Sequence, residues 1–210
     1  MISLEKIISG VKLEFITEDI ASQTDIQAVV NAANASYPVQ VYNFFKELGA
    51  QHIQFIPIVE QLEGEVSSRS VGPEQYGEFL IGVFDEWIFD GYGEIYVQIF
   101  EQCVSAWYGY EPTLCVFRET CGQAPVLEHN GDLYACDHFV FPEYKLGNIK
   151  ETPIQELMNS PQQQEFGENK RDQLSSKCRN CDYLFICHGG CLKNRIKETE
   201  SGKILTVPAG

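Results

Sequence analysis

Apolar and polar positions recur with different periods along the 210-residue chain, and each period predicts an element. In "VKLEFITEDIASQTDIQAVVN" (residues 11–31) two short apolar runs are split by a polar turn, which predicts strand, turn, strand. In "YPVQVYNFFKELG" the apolar Val41, Phe44, Phe45 and Leu48 fall at helical spacing, and Gly49 supplies a stop. "HIQFIPIVE" reads as the next strand, so strand, helix and strand make a βαβ unit of the kind that builds parallel sheets. Residues 61–72 are polar and rich in Gly and Ser, as in a loop. Then Tyr76, Phe79, Leu80, Val83, Phe84, Trp87 and Ile88 repeat every three or four residues. This is the strongest helical pattern in the chain, and its apolar stripe predicts core. "EIYVQIF" predicts a further strand.

After Phe100 the texture changes. Cysteines begin and the periodic runs shorten. "PVLEHNGDLYACD" predicts a β-hairpin turning at Asn130-Gly131. Thr152-Pro153-Ile154-Gln155 has the form of a capping box with proline at the first helical position, opening a short helix through Met158. A boundary is expected near 100–110. Before it lies α/β material. After it lies a module with too little apolar content for a core of its own, which usually means metal or disulfide staples.

Composition narrows the setting. The chain is 44% hydrophobic and 21% charged, ordinary for a globular protein. No run of about 18 apolar residues is present, so no membrane span is expected. The start "MISLEKIISG" lacks the features of a secretory signal, which makes the cytoplasm the expected compartment. There thiols stay reduced, and clustered cysteines more often hold metal than form disulfides. A net charge of -15 repels phosphate backbones and argues against nucleic-acid binding. Residues 170–203 run the other way, with eight Lys and Arg against four Asp and Glu. This basic segment overlaps the cysteines, either as a solvated surface or as a positive surround for an anionic metal–thiolate centre.

The eight cysteines are Cys103, Cys115, Cys121, Cys136, Cys178, Cys181, Cys187 and Cys191. From Cys115 the spacing is C-x5-C-x14-C, then, after a long gap, C-x2-C-x5-C-x3-C. Three readings compete: disulfides, structural zinc, and iron–sulfur clusters. A C-x-x-C turn suits tetrahedral zinc. Seven cysteines in a group of three and a group of four fit two Fe–S clusters, each of which takes four thiolates. Cys103 lies outside the pattern and reads as a buried apolar residue of an amphipathic helix. His138 and His188 stand beside ligand candidates, in supporting or surface roles.

These motifs carry a resemblance. The cysteine pattern resembles the SPASM auxiliary-cluster domain of radical S-adenosylmethionine enzymes. "YPVQVYNFFKELGAQHIQFIPIVE", "GNIKETPIQELMNS" and "CDYLFICHGGC" are similar to one branch, the anaerobic sulfatase-maturating enzymes. The likeness covers residues 36–197 and only the C-terminal half of such an enzyme. It implies conversion of a sulfatase cysteine or serine to formylglycine by a radical made from S-adenosylmethionine, on a sulfatase peptide or unfolded sulfatase. It also implies two auxiliary [4Fe–4S] clusters. By residue-wise match, Cys115, Cys121, Cys136 and Cys191 would hold one, and Cys178, Cys181 and Cys187, with a further ligand, the other. Asp137 matches the catalytic base, which calls for a pKa raised by the anionic cluster and by burial. The radical-generating C-x3-C-x2-C motif is absent from this chain, and no cysteine follows Cys191. A separate chain supplying the missing half is a possible partner.

The first 35 residues resemble something else. "TEDIAS" and "AVVNAANAS" are similar to the opening of a macro domain, the ADP-ribose-binding fold. That match implies Asp19 at the adenine and Asn31 and Asn34 at the distal ribose. The expected architecture is α/β: a macro-like strand segment over 1–35, a partial (β/α) barrel-type half over 36–105, and a SPASM-like Fe–S module over 106–210. The functions weighed are the auxiliary-cluster and substrate-binding portion of a maturase, a non-catalytic zinc or iron module, and an ADP-ribose binder.

Overall fold

The computed structural model describes residues 2–8, 11–17, 25–62, 65–199 and 202–204. The chain divides into two compact units, one running through Val104 and the other starting at Ser105.

In the first unit, β1 (Ile2–Ile8) pairs antiparallel with β2 (Val11–Thr17), Ile2 opposite Thr17. β3 (Asp25–Val30) leads through α1 (Pro38–Glu47) to β4 (His52–Pro57). β3 and β4 are parallel, with Asp25 opposite His52 and Val30 opposite Pro57, so the βαβ unit forms. β7 (Tyr96–Val97) adds to the far side of β4, again parallel, giving the order β3-β4-β7. Burial follows the pleat: Ala28 and Val30 of β3 and Ile53 and Phe55 of β4 are buried. α1 stops where Gly49 turns left-handed at φ +79°.

α2 (Pro73–Asp90) buries Tyr76, Phe79, Val83 and Trp87. Phe84 and Ile88 of the predicted stripe stay partly exposed, so the buried face is narrower than the pattern suggested. The Phe79 ring meets Phe55 edge-on at 5.2 Å, and Trp87 Nε1 donates to the Ile95 carbonyl at 2.7 Å. At Gly82 a Cβ would come within 2.6 Å of the Pro38 ring, so α1 and α2 approach as closely as they do only over a glycine.

Two expectations need correction here. "EIYVQIF" is strand only at Tyr96–Val97, and Gln98 opens α3 (Gln98–Trp107). Ile95 and Val97 alternate as in a strand, but burial then continues at Phe100, three residues after Val97, and at Gln102 and Ala106, four apart, which are helical intervals. Phe100 packs against Phe84 and Trp87 at 5.2 and 5.3 Å. The loop at 61–72 contains a small antiparallel pair, β5 (Gln61–Leu62) with β6 (Glu65–Val66).

The second unit has a three-stranded antiparallel sheet in the order β10-β9-β8: β8 (Val126–Leu127), β9 (Asp132–Tyr134) and β10 (Lys145–Asn148). The hairpin turns at Asn130-Gly131, where Gly131 has φ +95° and Asn130 Oδ1 accepts from the Asp132 N–H at 2.9 Å. α4 (Ile154–Met158) ends as expected, but its capping box does not form. Pro153 occupies the cap and no side chain caps the helix. A residue before proline is kept out of the helical region, so Thr152 cannot open the helix. α5 (Pro161–Asp172), α6 (Ser176–Arg179) and α7 (Leu184–Cys187) follow. Ser160 and Ser175 cap α5 and α6 by accepting from the Gln163 and Cys178 N–H groups, each at 3.2 Å. β11 (Lys197–Thr199) and β12 (Gly202–Ile204) pair antiparallel.

Candidate metal centre

Each cysteine of the second unit is delivered by a short, locally determined element. Cys115 opens a tight helical turn over Cys115–Phe117, and Cys136 follows β9 at the end of the hairpin. Cys121 sits in an extended stretch whose N–H donates to the Gly167 carbonyl of α5 at 3.1 Å. A Cβ at Gly167 would lie 2.4 Å from the Cys121 carbonyl oxygen, so only glycine lets the helix come this near. Cys178 lies in α6, Cys181 just beyond it, and Cys187 ends α7.

"CHGGC" makes the decisive turn. His188, Gly189 and Gly190 are all left-handed, with φ of 45°, 72° and 61°. Two glycines make such a run affordable in strain, and it re-aims the chain between Cys187 and Cys191. The Cys187 thiol has Cys181 and Cys178 as its electrostatic neighbours. The Cys191 thiol instead has Cys115, and Cys121 and Cys136 each have Cys191. Two neighbouring cysteines, three residues apart in between, thus serve different groups.

α5 holds the first group in place through one polar face. Gln163, Gly167 and Lys170 recur at intervals of four and three, so they share that face. Gln163 Nε2 donates to the Gly122 carbonyl and, at 3.1 Å, to the Ala135 carbonyl, the residues next to Cys121 and Cys136. Lys170 Nζ donates to the carbonyls of Cys115 (2.8 Å), Val116 (3.1 Å) and Arg118. Phe166 joins Phe139 and Tyr144 in a cluster of edge-on rings that packs the segment after Cys136. Sequence patterning missed α5 altogether because its mean hydropathy is low. The signal was there in Ser160-Pro161, a capping residue followed by proline.

Burial pushes the Cys121 thiol up to about 11 and the Cys136 thiol up to about 12, and raises Cys187 and Cys191 as well. Buried thiols of this kind stay protonated near neutral pH unless a metal displaces the proton. Among the described residues no three His, Cys, Asp or Glu side chains converge tightly enough to hold a single metal ion. Cys115, Cys121, Cys136 and Cys191 offer four thiols, the number that an Fe–S cluster takes.

Asp137 is exposed, its side chain 66% accessible. Its carboxylate is held below the usual range, first by the hydrogen bond that the Cys136 thiol donates to Oδ1 at 3.1 Å, with burial acting the other way. This reverses the raised pKa expected from the sequence. The cause is a thiol proton, which a metal-bound Cys136 would not carry. His188 contributes its carbonyl to the loop rather than a ligand, and Cys103 lies on α3 in the first unit.

Comparison with known proteins bears on the second unit. A model of the SPASM iron–sulfur cluster-binding domain matches residues 115–182, which include five of the seven cysteines. Proteins similar to this chain include anaerobic sulfatase-maturating enzymes. The serine-type enzyme of Bacteroides thetaiotaomicron is 42% identical over 96% of this chain and 52% of its own length. The cysteine-type enzyme of Clostridium novyi is 31% identical over 92% of this chain and 52% of its own. The solved structure "Native anSMEcpe with bound AdoMet and Kp18Cys peptide" superposes with a TM-score of 0.73 at 28% identity, covering 87% of this chain and 51% of that one. The chain therefore spans about half the length of the maturases it matches.

The macro-domain likeness finds no support. The Bacteroides alignment leaves too few residues outside it for a separate 35-residue opening. Asn31 and Asn34 are also committed to a turn: Asn31 Oδ1 accepts from the Ala33 and Asn34 N–H groups, and Asn34 exchanges bonds with Asn31 N and Val29 O. Asp19 lies outside the described residues. Among the described residues no helix is long and apolar enough to cross a membrane.

Proposed function

We propose that this chain is the auxiliary Fe–S and substrate-binding portion of a radical S-adenosylmethionine sulfatase maturase, acting on a cysteine or serine of a sulfatase peptide. Cys115, Cys121, Cys136 and Cys191 hold one [4Fe–4S] cluster. Cys178, Cys181 and Cys187 hold the second, with a ligand from elsewhere. The observation that carries this reading is the split of Cys187 and Cys191 between two thiol groups, together with an Fe–S domain match over residues 115–182 that takes in the other five cysteines.

When bound, such clusters would supply electron transfer. The chain's own residues do the rest. Asp137, exposed beside Cys136, takes the proton of the substrate thiol or hydroxyl at its carboxylate. The β3-β4-β7 sheet with α1 and α2 is part of a (β/α) barrel. The C-x3-C-x2-C motif does not occur in these residues, so radical generation belongs to a part outside this sequence or to a partner chain. The peptides bound in solved relatives favour a peptide substrate here.

Iron and acid-labile sulfide after anaerobic reconstitution test the reading. About four of each per chain means that the four-thiol set is filled, and about eight that both are. Zinc without sulfide would overturn it and leave a structural module. With the radical-generating part present, Asp137→Asn should keep cluster content and lose turnover.

A further inference from the structure

Among the described residues, the second unit buries two cations, Lys170 and Arg195, that pair with no carboxylate. Lys170 is 1% exposed and Arg195 5% exposed. Among the described residues neither forms an ion pair with a carboxylate. Their hydrogen bonds go to backbone carbonyls alone. Lys170 serves the Cys115 turn as described above. Arg195 donates through Nε to Gly189 O (3.1 Å), through Nη1 to Lys170 O (2.7 Å) and through Nη2 to His188 O (3.4 Å). Carbonyl dipoles solvate a charge but do not cancel it, and two unneutralised cations so close repel each other.

What surrounds them is sulfur from both sets. Arg195 has Cys178 and Cys187 of one set and Cys191 and Cys121 of the other as electrostatic neighbours. Lys170 has Cys121, Cys115 and Cys191, and reaches Cys187 as well. The left-handed run at His188-Gly189-Gly190 turns two carbonyls toward the guanidinium. At Gly189 a Cβ would lie 2.9 Å from Arg195 Nη2 and 2.2 Å from the Leu174 side chain. The glycine is thus needed to seat the arginine as well as to turn the chain.

We propose that Lys170 and Arg195 form a buried cationic bridge between the two thiol sets, which neutralises them once they are deprotonated and metal-loaded and raises the reduction potential of both centres. The inference rests on the Fe–S reading above. Reduction adds negative charge to a centre, and a fixed cation nearby in a low-dielectric interior stabilises the reduced form. Both residues are positioning residues, since they touch neither substrate nor the reacting atoms.

The test compares the wild-type chain with Arg195→Gln and Arg195→Lys. Gln keeps donors for the carbonyls and drops the charge; Lys keeps the charge. Three quantities are read: iron and sulfide per chain, midpoint potentials by redox titration followed by electron paramagnetic resonance, and thermal unfolding of the metal-free chain. The bridge predicts that Arg195→Gln shifts both midpoints to more negative values and weakens iron retention by roughly 10- to 100-fold, the range for groups behind metal ligands. Arg195→Lys stays near wild type. The metal-free Arg195→Gln chain unfolds no earlier than wild type, because it has lost an unneutralised charge. Full loading with unmoved midpoints would overturn the bridge alone. So would a metal-free variant that is destabilised and cannot be loaded, the signature of a merely structural arginine. A wild-type chain that takes up no iron and sulfide would overturn the Fe–S reading and the bridge with it.

Discussion

The two units are held together by different chemistry. The unit through Val104 buries Phe45, Ile53, Phe55, Phe79 and Val83, apolar side chains that need no partner beyond one another, and Trp87, whose Nε1 donates to the Ile95 carbonyl. The unit from Ser105 buries Phe117, Leu133, Leu157 and Phe166, but beside them it buries Gln163, Lys170, Ser175 and Arg195. Apolar burial stabilises the first unit whatever is bound. Much of the second unit's interior is polar and bonds to backbone carbonyls beside the cysteines, so on the proposed Fe–S reading its stability depends on what those cysteines hold. The contrast teaches that a low-hydropathy segment can still be core when its partners are backbone carbonyls.

The largest effect that would break this contrast is metal removal. Without iron, amide exchange should become fast across residues 115–195, while β3, α1, β4 and α2 stay protected. Equal protection of both units without metal would erase the difference between them. Next comes Phe79→Ala, which should cost about 3–5 kcal/mol in denaturant unfolding with or without iron, because the ring is fully buried against Phe55. A cost that depended on iron would contradict the separation. Gln163→Ala removes the donor that ties Gly122 to Ala135 and should cost the second unit about 1–3 kcal/mol while leaving the first untouched.

Smaller, and opposite in origin, is a pH effect on loading. Burial holds the Cys121 and Cys136 thiols protonated until about 11 and about 12. Metal must displace those protons, so iron retention should strengthen as pH rises from 6 towards 9, measured against a chelator calibrated at each pH. Retention that fell over this range would have the wrong sign. Smallest is Ser160→Ala, which removes the α5 cap at a cost of about 1 kcal/mol in unfolding of the second unit.

How much of this was legible follows from the same contrast. α2 could be read because its buried face is apolar at helical spacing, and the Asn130-Gly131 hairpin because a left-handed glycine marks it. α3 could be read around Cys103, but its start was hidden because Ile95 and Val97 begin as a strand and the period changes at Gln98. α5 was missed because its inward face is Gln163, Gly167 and Lys170. The cysteines stood out by spacing, and a model of an iron–sulfur cluster-binding domain matches residues 115–182. Lys170 and Arg195 could not be told from the basic segment around them. Charged residues are seldom fully buried, and nothing local in the sequence marks the two that are.

The most direct test of the account is to count iron and sulfide in Cys191→Ser and Cys187→Ser chains reconstituted side by side. Only three residues stand between the two, yet the account sends them to different centres. It predicts that Cys191→Ser loses the centre of the four-thiol set, whereas Cys187→Ser keeps that centre with its spectrum unchanged. If both variants lost the same centre, or neither lost any iron, the two-set arrangement would be wrong.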